Sequence, residues 1–252
     1  MFLPYGNRHS LRDRTGGISL RYFLMSQAIH NLTGNALLAS LSPQTSMQVA
    51  SLCRIEHPPQ GHVLATVSEP GADVWFPHDG TVAFINVDAS GRAVQTGIVG
   101  REGCIGIHSL VGQSHSFSDA VVQIGGAMSV ISAAQLKAEM QARPEVQAAL
   151  WRFLYAFAMD SLQTIACNRL HSLHSRCCRW LLTMQDKTAS ENLPLTQESL
   201  AALLGGGRPR INFLLAELEN EGLLQRFRGR IRLLDRAGLM QRACDCYRQM
   251  SL

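Results

Sequence analysis

The chain has 252 residues, of which 46% are apolar and 17% charged. That is an ordinary composition for a globular protein, with room for one large or two modest domains. No run of about 18 apolar residues marks a membrane span, and the start MFLPYGNRHSLRDRTGG lacks the apolar core of a secretory signal, so a cytoplasmic protein with no membrane partner is expected. A formal net charge of +4 permits nucleic-acid binding without requiring it. The cysteine count of 7 is odd and the spacing irregular, which reads as reduced thiols rather than a disulfide framework.

Residues 1–30 mix Arg, Gly, Ser and isolated apolar residues without a period and read as an N-terminal extension of no assigned function. From Asn35 to Cys53 the apolar residues recur at helical spacing, and Ser42-Pro43 supplies a cap and a first-turn residue. Between Ile55 and Ser132 the texture changes. Short apolar runs (HVLAT, DVWFP, TVAFINV, AVQTGIV, AVVQI, AMSVIS) alternate with turn signals near Gly61, Gly71, Gly80, Gly91, Gly103 and Gly125. Turns at intervals of about 8 to 12 residues are what a small antiparallel barrel or sandwich produces, so the middle of the chain is expected to be all-β.

After Ala133 the helical period returns in AAQLKAEMQA, and Pro144 interrupts it. A long helical pattern then runs from Glu145 toward Leu170, with Leu150, Leu154, Phe157, Ser161 and Ile165 three or four residues apart. This resembles a coiled-coil seam and favours a dimer helix over one packed only on its own β domain. Leu173 to Met184 begins a further amphipathic helix.

The sharpest signal is LPLTQESLAALLGGGRPRINFLLAELENEGLLQRFRGRIRLLDRAGL, from Leu193 to Leu239. Thr196 is a good N-cap and a candidate DNA contact, Glu198 sits in the first turn, and Leu200, Leu203 and Leu204 supply a buried face. Gly205, Gly206 and Gly207 provide a tight turn, and Pro209 suits the start of a second helix reaching about Glu221. Ile211, Leu214, Leu215 and Leu218 must face a core, which leaves Arg208, Arg210, Asn212 and Phe213 to the outside of the first turns. A recognition helix places such groups in the major groove. Arg reads guanine, Asn reads adenine, and Phe touches a thymine methyl. After Gly222, LLQRFRGRIRLLD alternates apolar and basic residues about Arg228-Gly229, which reads as a β-hairpin wing. Arg226, Arg228, Arg230 and Arg232 recur at every second residue and fall on one face if the turn preserves register, where they suit phosphates. Together these parts predict double-stranded DNA binding.

This order of parts resembles the Crp/Fnr family of regulators. The resemblance covers Asn31 to Leu239 and is most specific in the segment just quoted and in DVWFPHDGTVAFINVDASGRAVQTGIVGREGCIG. It implies an α+β architecture: an N-terminal antiparallel β-roll of the cyclic-nucleotide-binding kind over 31–143, a dimerisation helix and hinge over 144–172, and a winged helix-turn-helix over 173–252. It further implies a homodimer on a near-palindromic operator that recruits or blocks RNA polymerase. An effector site, if present, is expected around Arg101, Gly103, Gly106, Ile107 and His108. Cyclic-nucleotide members of the family carry Gly-Glu followed by Arg-Ser or Arg-Thr. Here Ile107 stands where the acid would be, and HSFSDAVV, from His115 to Val122, offers no arginine for a phosphate. No cysteine precedes Cys53 to form the iron–sulfur group of oxygen-sensing members, and His57, His62, His78 and Cys104 read as isolated residues rather than haem ligands. The family's common pattern also has a polar or basic residue in place of Phe213 and Val-Ser or Cys-Ser in place of Gly206-Gly207. Operator sequence therefore does not carry over, and binding is expected to lean on the wing.

Two other groupings compete with plain packing roles. His171, His174, Cys177 and Cys178 lie at helical spacing and would suit a soft metal or a redox site at the hinge, while Cys244-Asp245-Cys246 offers two thiols, too few for a zinc site. No metal, cofactor or catalytic residue is assigned. The competing readings are a cupin-like metal enzyme with a helical tail and a β-roll protein-interaction module. His57, His62, His78, Glu69 and Glu102 lack the compact His-x-His pattern of the first, and the outward arginines argue against the second.

Overall fold

The computed structural model describes residues 34–87, 89, 93–188 and 190–250, so the expected N-terminal extension lies outside the described residues. The chain enters through a short helix α1 (Ala36–Ala39) whose cap is also a tertiary pin. The Oδ1 of Asn35 accepts from the Leu38 N–H at 3.1 Å, while its Nδ2 donates to the carbonyls of Pro77 and Gly103 at 2.8 and 2.9 Å. A fully buried amide with its donors and acceptor satisfied avoids the desolvation cost of leaving them unpaired and fixes where the chain begins. Helix α2 (Pro43–Leu52) starts as the sequence predicts, with Ser42 Oγ accepting from the Thr45 N–H and Pro43 in the first turn.

Two antiparallel sheets follow. One has the order β1 (Arg54–Glu56), β7 (Met128–Ser132), β3 (Asp73–Pro77), and the other the order β2 (Val63–Ala65), β6 (Asp119–Ile124), β4 (Thr81–Val87), β5 (Ala93–Val99). The apolar runs of the sequence supply every strand but β1, which is three residues long and mostly exposed. Val74, Phe76, Val82, Phe84, Val99, Val122, Val130 and Ile131 belong to one buried core. Helix α3 (Ile107–Leu110) leaves this core through Gly106, whose φ is +94°. A Cβ there would lie 2.2 Å from the Asp73 carbonyl oxygen. Both the left-handed backbone and the clash bar a side chain, so Gly106→Ala is expected to cost about 2 kcal/mol or more in urea unfolding.

Helices α4 (Ala133–Ala142) and α5 (Pro144–Leu170) close the roll. Helix α5 carries two apolar stripes, which the sequence pattern alone merges into one. Val146, Ala149, Leu150 and Phe153 are buried against the β-roll, and Phe157 meets Phe84 edge-on at 5.4 Å. Leu154 and Ser161 are also half-buried, so most of the seam read from the sequence faces inward. The outward row is Trp151, Tyr155, Met159, Leu162 and Ile165, with exposures from 40% to 68%. Its spacing of three or four residues keeps it on one side of the helix.

Beyond Ser172 the chain turns into α6 (Leu173–Thr188), then β8 (Asn192–Leu193), α7 (Gln197–Leu204), α8 (Arg208–Asn220), β9 (Leu224–Phe227), β10 (Arg230–Leu233), α9 (Arg236–Arg242) and α10 (Cys246–Met250). Leu181, Leu182, Leu200, Ile211, Leu215, Leu218, Leu224 and Ile231 form a second core with few residues from the first part of the chain. A Lys187–Glu102 ion pair and the packing of α7 on β5 join the two parts. Among the described residues no helix is long and apolar enough to cross a membrane.

Candidate nucleic-acid interface

The first helix of the pair, α7, begins with a reciprocal cap. The Ser199 N–H donates to Thr196 Oγ1 at 3.0 Å, and the Thr196 N–H donates to Ser199 Oγ at 3.1 Å. Thr196 is exposed, but its hydroxyl is already engaged in this cap. Gly205 ends the helix at φ +64°, a conformation glycine adopts without strain. Gly207 then caps α8 in extended backbone without a side-chain hydrogen bond, and Pro209 occupies its first turn.

Ile211, Leu214, Leu215 and Leu218 of α8 are buried, as their spacing predicts. Arg208, Arg210 and Phe213 are exposed, Phe213 by 66%. Asn212 is not fully outward: it is half-buried, and its Oδ1 is shielded without a hydrogen-bond partner among the described residues. The outer face is made instead of Arg210, Phe213, Glu217 and Asn220, at i, i+3, i+7 and i+10. Sequence reasoning missed Glu217, although counting on by seven from Arg210 finds it. The helix is electrically polarised: Arg208 and Arg210 lie in its first turn, while Glu217, Glu219 and Glu221 lie at its end. The helix dipole adds positive potential at the arginine end.

The wing corrects the expected single face of arginines. Phe227 pairs with Arg230, Arg226 with Ile231, and Gln225 with Arg232. Directly paired residues share a face, and each pair joins an odd-numbered with an even-numbered position, so arginines at every second residue change face across the two-residue turn. Arg230 and Arg232 therefore point out with Phe227, while Arg226 shares the inner face with Leu224, Ile231 and Leu233. The Arg230 guanidinium stacks on Phe227 at 4.5 Å. Arg226 is committed to Glu219: its backbone N–H and Nε donate to the carboxylate at 2.8 and 2.7 Å. These bonds hold the Glu219 carboxyl below the usual carboxylate range, the backbone N–H contributing most. Arg208, Arg210, Arg228 and Arg230 have no acidic partner among the described residues. Thr196, Arg208, Arg226, Arg228 and Arg230 line one cleft between the start of α7, the start of α8 and the wing.

A second cavity, of about 380 Å³, lies between the β-roll and α5. Gly106, Ile107 and His108 are in its wall, with Phe84, Phe117, Phe153 and Phe157, while Arg101 and Gly103 are not. Its polar groups are His108, Gln113, His115 and Ser116, and among the described residues no Arg or Lys lines it. Burial, and secondarily the His115 charge, lowers the His108 pKa and favours a neutral imidazole. His78 is half-buried and hydrogen-bonded, its Nε2 2.9 Å from Ser129 Oγ.

The hinge grouping read from the sequence does not assemble. Cys177 and Cys178 are buried in the second core, where desolvation pushes both thiols up. His171 stands instead beside Cys167, Cys244 and Cys246.

Residues 175–242 match the family model of the Crp-like helix-turn-helix domain. No curated protein matches the chain. Among solved structures, a transcriptional regulator of the CRP family from Thermus thermophilus superposes with a TM-score of 0.64 at 19% identity, covering 75% of this chain and 96% of that one. FixK2 from Bradyrhizobium japonicum gives 0.65 at 17% identity, covering 76% and 98%. A second Thermus thermophilus regulator, of the CRP/FNR family, gives 0.61 at 23% identity, covering 75% and 98%. These likenesses establish a common fold.

Proposed function

We propose, from the premise that this chain is a DNA-binding transcription regulator of the Crp/Fnr family, that it binds a near-palindromic operator as a homodimer. The observation that carries this reading is the cluster of unneutralised arginines at the start of α8 and on the wing. Arg208 and Arg210 enter the major groove with the N-terminal turns of α8 and, with Phe213, meet base edges, while Arg228 and Arg230 grip phosphates. A carboxylate such as Glu217 repels phosphate, so contact is confined to the first two turns of the helix. Asn212 and Thr196 border the contact, and Arg226 acts through Glu219 to hold the wing against α8.

The two hydrophobic cores support a division into a sensor-like domain over 31–143, a dimer helix and hinge over 144–172, and a DNA-binding domain over 173–252. The outward row on α5 is the dimer seam, and it sets the two recognition helices about 34 Å apart for successive major grooves. The cavity beside α5 takes an effector that is apolar or weakly polar, because burying a phosphate without a cationic partner is costly. No catalytic step is assigned to the chain. RNA polymerase is the partner implied by the resemblance, and a cytoplasmic site of action follows from the DNA target.

Selection of bound duplexes from a random pool by the purified protein tests the reading, at fixed salt with and without cyclic AMP. The expected result is enrichment of a palindrome to the same degree in both. Failure to enrich any sequence overturns the DNA-binding proposal, and enrichment only with the nucleotide overturns the reading of the cavity.

A further inference from the structure

The chain's last turns bring back to α5 a set of side chains that the DNA-binding reading does not use. Cys167 lies in the last helical turn of α5 and His171 is its C-cap, four residues on and hence on the same face. The segment Cys244-Asp245-Cys246 leads into α10, which packs on α5 and α6. The Cys167 and Cys244 sulfurs are 3.5 Å apart, Cys246 Sγ is 3.4 Å from His171 Nδ1, and all four ligand atoms lie within 4.8 Å of one another. We propose that Cys167, His171, Cys244 and Cys246 form a tetrahedral site of three cysteines and one histidine for a zinc-class divalent ion.

The geometry is close to what such an ion demands. With Zn–S near 2.3 Å and Zn–N near 2.0 Å, a tetrahedron has S–S edges of about 3.8 Å and S–N edges of about 3.5 Å. The two separations above match these within a few tenths of an ångström. Three sulfurs and one imidazole select zinc over the hard cations, which take oxygen. The cysteines are 0%, 9% and 3% exposed, as in a closed structural site.

Packing alone does not explain the arrangement. The three cysteines form a buried cluster of their own, separate from both hydrophobic cores. Gln163 Nε2 donates to Cys246 Sγ at 3.0 Å, the kind of outer hydrogen bond that orients a thiolate ligand. Three thiolates on a divalent ion leave one net negative charge, and the positive charge of the buried Arg179 acts on both Cys167 and Cys244. The ion ties α10 to the end of α5, beside the Ser172 turn into the DNA-binding part, and so fixes the direction in which that part leaves the long helix. Binding displaces the thiol protons to solvent and needs no oxidant.

The test uses the full-length protein, purified in reductant, stripped with a chelator and dialysed against zinc or cobalt(II). About one ion per chain is expected, with the thiolate charge-transfer and tetrahedral ligand-field absorption of cobalt held by three sulfurs and one nitrogen. Cys244→Ser/Cys246→Ser should lose stoichiometric metal while Cys53→Ser, outside the cluster, keeps it. Gln163→Ala should weaken zinc affinity by about tenfold with the fold intact. The proposal is overturned by reduced protein that binds no stoichiometric zinc, by an octahedral cobalt spectrum, or by the double variant retaining its metal. A Cys167–Cys244 disulfide in protein that still takes no zinc after reduction overturns it equally and marks the cluster as a redox pair. No DNA enters the assay, so its outcome is independent of the regulator reading.

Discussion

Replacing both Arg208 and Arg210 with alanine is expected to abolish sequence-selective binding while leaving the domain folded. Both side chains are exposed and neither has an acidic partner among the described residues, so removing them breaks no ion pair there. A good bidentate arginine–base contact is worth about 1–3 kcal/mol, so the pair accounts for roughly 30-fold to 20,000-fold in operator affinity. The measurement is a titration of the selected operator at several salt concentrations. An arginine that reads a base lowers affinity without changing the salt slope, whereas each lost phosphate contact reduces the slope by about 0.9. Arg228→Ala should show the second behaviour. Arg226→Ala gives the contrast: its partner is Glu219, so its removal should loosen the wing and lower thermal stability before it touches the slope. Operator binding by the double variant as tight as the parent's would sink the assignment of α8.

What the sequence makes legible follows from where its local signals are strong. The apolar runs HVLAT through AMSVIS become strands because turn-forming glycines bound them on each side, and the Thr196 cap, the glycine turn and the Ile211 to Leu218 row define the two helices. The wing shows the limit of pattern counting. Period-two spacing assigns a face within one strand, but the two-residue turn at Arg228-Gly229 decides how the faces of two strands correspond, and that puts Arg226 inside. On α5 a period near 3.6 fits either of two apolar stripes, and only the packed β-roll reveals which one is buried. The cluster of three cysteines and His171 is illegible for a different reason. Its halves are separated by more than 70 residues, and the Cys244 pair has no metal-binding spacing until the fold returns it to Cys167 and His171. His171 itself stands out in the sequence, but helical spacing assigns it the wrong companions, since α5 ends there and α6 begins a new direction.

The second large effect is expected from the outward row of α5. Tyr155 and Leu162 are 68% and 58% exposed, on a face with Trp151 and Ile165 that nothing else among the described residues covers. Burying a side chain of this kind is worth about 1.5–3 kcal/mol, and in a two-fold interface each position counts twice. Tyr155→Glu/Leu162→Glu removes that gain and sets four carboxylates into the proposed seam of each dimer. The expected mass by light scattering at micromolar concentration falls from two chains to one, with the circular dichroism of the fold unchanged, since neither residue belongs to either core. Loss of the dimer then removes the intramolecular engagement of the second half-site, so affinity for the full palindrome should drop by about 100-fold to 10,000-fold, to that of a single half-site. The half-site itself should bind parent and variant alike, because the α8 arginines are untouched. A parent that is already monomeric on DNA, or a variant that remains a dimer, would show that the seam lies elsewhere and that the spacing of the recognition helices is set by another surface.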